Sequence, residues 1–242
     1  MKTIDASNLD YRGLNVLLRA AAPETKEIRV HGVNGQRYIA AGMSLPARLV
    51  LEGTAGNDLA AFADGVDITV NGSAQDGVGN TLSRGRLVIL GHATDLLAHS
   101  MRGGEIYIRD DAGYRAAVHM KSFQDRSPLV AIGGRAGDFL GEYMAGGDLV
   151  VFGLGHSPEK VVGRFVGTGM HGGRIFIHGR MEPWQLGSQV AVGQPDAAEL
   201  VFLRRVAKNF TAFTGRDVPA PKAGEYLVLK PKSARPYGEM YA

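Results

Sequence analysis

Short runs in which apolar residues alternate with others recur along this chain, and nearly every run ends on glycine. Anchored on their last residues they end at Gly53 (after Leu49 and Leu51), Gly72 (Ile68, Val70), Gly91 (Leu87, Ile89), Asp110 (Ile106, Ile108), Gly134 (Val130, Ile132), Gly153 (Leu149, Val151) and Gly179 (Ile175, Ile177). Successive anchors lie 19, 19, 19, 24, 19 and 26 residues apart. A two-residue alternation is the pattern of a strand with one face buried, and a fixed period near 19 residues means that each strand belongs to a repeating unit. The two long gaps are the same unit with residues added in polar, turn-like stretches, "SFQDRS" after Met120 and "GHSPEKV" after Gly153. Both are expected as loops on one rim.

Other columns keep the same register. Two residues past the anchors stand Ala55, Ala74, Ala93, Ala112, Ala136 and Gly155. Seven past stand Ala60, Gly79, Ala98, Ala117, Gly141 and, beyond the second insertion, Gly167. Ten past stand Ala63, Leu82, Met101, Met120, Met144 and Met170. A strand, a corner, a small-residue segment and a second corner describe a solenoid, in which each coil buries its apolar side chains against the next. Helical repeats would show a period near 3.6, which is missing here. The chain therefore reads as all-β: a single-stranded right-handed parallel β-helix of about seven coils of 19 residues, because 19 is not divisible into the hexapeptides of the left-handed form.

A solenoid needs its ends covered. Residues 7–22 place Leu9, Leu14, Leu17 and Leu18 on one side behind a Ser/Asn/Asp cluster suited to capping a helix, and Pro23 stops it. Residues 196–213 form the strongest helical pattern, with Asp196 as N-cap, Leu200, Leu203, Val206, Phe210 and Phe213 on one face, and Gly215 at the end. This helix should cover the far end or dock beside it. Three regions result: an N-terminal cap and first coil (1–45), the solenoid (46–182), and a C-terminal helix and basic tail (183–242) that packs on the solenoid or a partner. From Arg204 onward there are eight Lys or Arg (204, 205, 208, 216, 222, 230, 232 and 235) against three acids (217, 225 and 239), so the tail reads as an arm, either lying on a neighbour or free.

Of the 242 residues, 34 are glycine and none is cysteine, and the formal net charge is +3. Without cysteine the chain has no thiolate nucleophile, disulfide or Cys-ligated cluster, so any such redox centre belongs to a partner. No apolar run is long enough to span a bilayer and the start lacks the apolar stretch of a signal peptide, which makes the expected location cytoplasmic, without membrane contact. Basic residues are not interleaved with stacking aromatics on a recognised module, so nucleic acid is not an expected partner.

Several groups could carry chemistry. Gly133, Gly134, Gly137 and Gly141 suggest a phosphate loop, but the dinucleotide fingerprint needs a helix after its glycines and here a strand follows. Of the seven histidines (31, 92, 99, 119, 156, 171 and 178), His99 and His119 should sit one coil apart with His171 near them, although two histidines need further ligands to hold a metal. Asn57, Asp76, Asp95 and Asp138 fall four past their anchors as a polar ladder, a pattern that serves some β-helix enzymes on polysaccharide. Tyr114 shares that column, and Asp and Asn suit turns for backbone reasons. The pentapeptide G-x-S-x-G of a serine hydrolase does not occur. The methionine column reads as core filling, with the wall of an ammonia tunnel as the alternative. No catalytic, cofactor-binding or metal-binding residue is assigned.

The repeated "GG-x-I-x-I-x-G", as in "GSAQDGVGNTLSRGRLVILG" (72–91), "AGDFLGEYMAGGDLVVFGLG" (136–155) and "VGTGMHGGRIFIHG" (166–179), resembles the C-terminal GXGXG domain of glutamate synthases. The glycine-repeat subunit of formylmethanofuran dehydrogenase shares that β-helix. "FTAFTGRD" (210–217) and "EYLVLKPKSARPYGEMY" (225–241) resemble the helix and tail that follow it. The resemblance implies a scaffold without catalytic residues that joins a glutaminase domain to an FMN and iron–sulfur oxidoreductase domain. It implies a separate subunit of a split glutamate-synthase-like oxidoreductase complex in nitrogen metabolism, inactive alone and forming a hetero-oligomer with a glutaminase (amidotransferase) subunit and an FMN-dependent subunit. The product would be glutamate, or N-methylglutamate if methylamine is the amine. FMN and the iron–sulfur cluster would sit in those partners. The rivals are a scaffold like the glycine-repeat subunit, in a formylmethanofuran dehydrogenase or formyltransferase complex, and an independent β-helix hydrolase or lyase.

Overall fold

The computed structural model describes residues 1–234. Nine strands stack in parallel and in chain order: β1 (Lys2–Asp5), β2 (Glu27–Asn34), β3 (Arg48–Thr54), β4 (Asp64–Asn71), β5 (Arg84–Ile89), β6 (Glu105–Ile108), β7 (Leu129–Ile132), β8 (Ala145–Val151) and β9 (Gly172–His178). The predicted register holds. Ile28, Leu49, Ile68, Leu87, Ile106, Val130, Leu149 and Ile175 pair in succession, each with the next. Their side chains point into one continuous core, where burial of apolar area is the main stabilising term. Ala55, Ala74, Ala93, Ala112 and Ala136 form a second ladder. Its next rung is Val162 rather than Gly155, because the second insertion loops out between them.

The side of each coil opposite the strands is built from left-handed residues at alternate positions. Asp58, Ala60 and Phe62 have φ of 58°, 57° and 58°, and Leu96, Ala98 and Ser100 repeat the pattern at 60°, 58° and 53°. Overlapping i to i+3 hydrogen bonds (Ala61 N–H to Asp58 O, Ala63 N–H to Ala60 O) mark two consecutive turns. Such φ values cost a non-glycine residue of the order of 1 kcal/mol each. The cost is offset because the amides between turns bond alternately to the coils above and below, Asp58 N–H to Asp76 O and Ala60 N–H to Ile39 O. A Cβ on Gly79 would run into the Ile106 side chain across the interior, which shows how closely this turn side approaches the strand side.

The two insertions do not share a rim. Residues 121–128 lead into β7 and residues 153–161 lead out of β8, so the loops leave the coil at opposite corners. Phe123 and Arg126 pair within the first loop as a small hairpin, and a single 3-10 turn, Pro158–Lys160, shapes the second.

Both ends are sealed. At the bottom, α1 (Tyr11–Ala21), capped by Asp10, buries Leu14, Leu18 and Ala21. Leu17, expected on that buried side, is 43% exposed: the contact stripe runs through Leu14, Leu18 and Ala21, and Leu17 lies at its edge. The strand β1 adds a rung below the first predicted coil. At the top, β11 (Tyr226–Pro231), part of the expected arm, pairs antiparallel with β9, and β10 (Val190–Gly193) pairs with β11. Residues 226–231 are therefore the solenoid's own cover, while 235–242 of the expected arm lie outside the described residues.

The second helix, α2 (Ala197–Thr214), begins with a capping box between Asp196 and Glu199 and ends at Gly215 in the left-handed conformation. It docks beside the solenoid, burying Leu203, Val206, Ala207 and Phe210 against the outward side chains of Val88, Tyr107, Ala131, Val150, Phe152 and Phe176. Leu200 and Phe213 stay half-buried at its rim. That outward column of the sheet is apolar because the helix covers it.

Candidate functional site

The glycines at 133, 134, 137 and 141 spend their amides within the coil. Their four amides donate to Ile108 O, Asp110 O, Gly113 O and Ala116 O of the preceding coil, so none remains for a phosphate. Side chains are missing there for steric reasons: a Cβ on Gly134 would overlap the Asp111 carboxylate.

The acidic column is a device for turning the chain. Asp76 accepts the amide of Asp95 at 3.0 Å and the Thr94 hydroxyl, Asp95 accepts the amide of Tyr114 at 2.8 Å, and Asp138 accepts the amide of Arg164 at 2.8 Å. Each carboxylate thus caps the next coil. A parallel ladder one residue past the anchors went unpredicted: Ser73 accepts from His92, His92 Nδ1 from Asp111, and Asp111 from Arg135. His156 adds a contact of 2.8 Å to Asp111 from the second insertion. Burial pushes the Asp111 carboxyl up, but the Arg135 amide and His156 outweigh it and hold it below the usual range. Only the column spacing of polar residues could have signalled this ladder.

His99 and His119 do meet, edge to face with ring centres 6.1 Å apart, and His119 stacks on Tyr143 at 5.2 Å. His99 Nδ1 contacts Asn80 at 3.4 Å and His171 Nδ1 contacts Gly169 O at 3.2 Å. Among the described residues no group of three or more His, Asp or Glu is placed to hold a metal ion. Met101, Met120, Met144 and Met170 are fully buried core.

What the surface offers instead is a face of corners and aromatic side chains. Phe139 and Phe165 stack at 4.9 Å on successive coils, with Arg115 over Phe139 and Arg164 over Phe165. Beside them lies a cleft of about 390 Å³. Its floor is the small-residue ladder (Ala112, Gly113, Ala136, Gly137, Gly163), and exposed Tyr114 (55%) and Trp184 (62%) line it together with Arg135 and Lys160. Gln185, buried next to Trp184, fixes this end by donating to Val162 O at 2.9 Å. Exposed aromatic rings with arginines over bare backbone make a contact surface of the kind proteins use to bind one another, whereas no nucleophile with its base is assembled there.

Among the described residues no helix is long and apolar enough to cross a membrane. Residues 26–220 match the family model described as the GXGXG motif. An uncharacterized protein of Methanocaldococcus jannaschii is 38% identical over 98% of this chain and 95% of its own length. The chloroplast ferredoxin-dependent glutamate synthase of Spinacia oleracea is 32% identical over 62% of this chain, a stretch that makes up 9% of that enzyme. Among solved structures, a chain of the formyltransferase/hydrolase complex from Methylorubrum extorquens, determined with methylofuran, superposes with a TM-score of 0.50 at 17% identity, covering 86% of this chain and 84% of that one. That likeness is one of fold. The matched GXGXG segment, together with the coil register it dictates, makes this chain a member of the GXGXG motif family.

Proposed function

We propose that the chain is a non-catalytic scaffold subunit of a split glutamate-synthase-like complex, in which it joins a glutamine amidotransferase to an oxidoreductase partner that holds FMN and an iron–sulfur cluster. The observation that carries this reading is the match of 62% of the chain to a segment making up only 9% of a glutamate synthase. The solenoid suits the role physically. Its hydrogen-bonding groups are satisfied coil to coil, its ends are closed, and it presents rigid side faces at fixed spacing. The complex would form glutamate or N-methylglutamate, in the cytoplasm.

The second reading, a scaffold in a formyltransferase/hydrolase assembly, is favoured by the fold likeness over most of both chains. One experiment separates them. An extract of the host lacking this chain is assayed for glutamine-dependent glutamate formation and for formyl transfer, before and after adding the purified chain. Loss and restoration of the first activity supports the glutamate reading. Loss and restoration of the second replaces it, and turnover by the purified chain alone contradicts both.

A further inference from the structure

The first insertion carries an arrangement of charge that the scaffold itself does not use. At its tip Phe123, 40% exposed, lies between two guanidiniums, with Arg102 at 5.9 Å and Arg126 at 5.2 Å from the ring centre. Phe123 and Arg126 are tied by two backbone hydrogen bonds of 3.0 and 3.1 Å, which set the backbone of the loop tip. Space for Arg126 comes from Gly103, where a Cβ would press on the arginine's own Cβ. Lys121 stands directly above Arg102 in the coil register, its amide bonded to Met101 O.

Neither arginine is in an ion pair among the described residues. Arg102 Nε is buried without a hydrogen-bond partner, and no carboxylate lies within 4.0 Å of either Arg102 or Arg126 among the described residues. Arg126 has a single long contact, 3.3 Å to Gln124. Asp64, whose carboxyl pKa Arg126 helps to lower, is itself bonded to Arg84 through two contacts of 2.6 and 2.8 Å. Asp125, at the exposed tip, exerts its effect on Arg84. Arg29 offers the contrast: its Nε is also without a partner, yet its guanidinium is paired with Glu52 at 3.1 Å. A buried guanidinium nitrogen left unpaired costs desolvation energy, and an arginine stacked on an aromatic ring presents its remaining N–H groups outward in one plane, the geometry that accepts a carboxylate bidentately.

We propose that this corner, Phe123 clasped by Arg102 and Arg126 with Lys121 beside it, receives a carboxylate side chain of a partner protein and is a principal anchor of the complex. The inference rests on the scaffold reading and adds the chemistry of the contact. Arginine and aromatic residues dominate the energetically important positions of protein interfaces, and two half-buried guanidiniums without an ion-pair partner in the free chain can each gain one on assembly. Docking on this corner also leaves the Trp184 cleft, at the opposite corner, open to a second partner.

The test uses the full tagged chain captured with its complex from the native host and treated with a carbodiimide, which joins an amine directly to a touching carboxylate. Mass spectrometry should find Lys121 joined to an Asp or Glu of a partner protein. Replacing both Arg102→Glu and Arg126→Glu should remove that link and lower partner recovery about tenfold or more. The paired change Arg102→Lys and Arg126→Lys should keep most of the recovery, and so should Arg48→Glu, which lies at the start of β3, four rungs below Leu129 in the coil register. Melting curves of each variant confirm that the coil is intact. Full recovery of partners by the double glutamate variant overturns the proposal, as does loss of the partners on nuclease treatment. Failure of the unaltered chain to recover any protein is a separate result that overturns the scaffold reading itself.

Discussion

The side chain of Asn15 takes the place of a missing coil beneath Ala40. In the second coil the amide of Ala60 donates to Ile39 O of the coil below at 2.8 Å; in the first there is no coil below, and the Ala40 amide donates to Asn15 Oδ1 at 3.0 Å. The same amide group of Asn15 donates to Tyr38 O at 2.9 Å, and Arg19 reaches Ala41 O. At the other end Gln185 plays the corresponding part for Val162 O and Gly163 O. Replacing Asn15 by leucine, close in size but unable to hydrogen-bond, leaves these backbone groups unpaired. The change should cost about 2 kcal/mol, seen as a fall of about 4–8 °C in melting temperature.

Arg216 fastens α2 to the coils. Its guanidinium donates to Arg109 O at 2.9 Å, to the Asp110 carboxylate at 3.0 Å and to Leu154 O at 2.8 Å, bridging two coils just beyond the helix end. Arg216→Ala should cost about 2 kcal/mol, and Phe210→Ala, which empties a fully buried ring between Tyr107 and Phe152, about 3–5 kcal/mol. Chemical denaturation followed by circular dichroism measures both. A change of less than about 0.5 kcal/mol at Arg216 would show that the helix is held by its apolar face alone.

The left-handed columns reverse the usual effect of glycine. Leu96 is half-exposed at φ 60°, so Leu96→Gly removes backbone strain while giving up little buried area. The expected result is unchanged or slightly raised stability, by up to about 1 kcal/mol. The opposite change, Gly134→Ala, should destabilise by more than about 2 kcal/mol because its Cβ overlaps the Asp111 carboxylate. Thermal melting of the two variants side by side decides it.

Acid should weaken the turn face. Burial, reinforced by the neighbouring His119, lowers the His99 pKa from its ordinary value of 6.5, with Asp58 opposing. A base whose folded pKa is depressed contributes stability that is present above the unfolded value and lost as pH falls through the folded one. Melting temperature should therefore drop as pH falls below about 6.5, and His99→Asn should flatten that part of the profile. An identical slope in the variant would place the acid sensitivity elsewhere.

How far the sequence discloses this molecule depends on the range of the interactions. The stacking of Leu49, Ile68, Leu87 and Ile106 is written in a spacing of 19 residues, because a solenoid turns sequence distance directly into position. The caps Asp10 and Asp196 are equally local signals. The contacts of Arg216, 106 residues from Asp110, have no local signature, and neither does the antiparallel return of β11 onto β9. The expectation of one shared rim for the insertions fails because length counts residues added without saying at which corner. His156 joins Asp111 only because the second loop folds back over the coil. The Trp184 cleft likewise depends on residues from four separate coils and turns. The acidic column is legible as turn chemistry, since each acid lies four past an anchor where the next coil's amide needs an acceptor.

The claim on which all else depends is that this closed coil works by holding other proteins together. Native mass spectrometry of the tagged chain, purified gently from its host, tests it most directly. A hetero-oligomer containing this chain, an amidotransferase and a flavin-bearing iron–sulfur protein is the expected result. A chain that emerges alone, and that converts a substrate by itself, would contradict it.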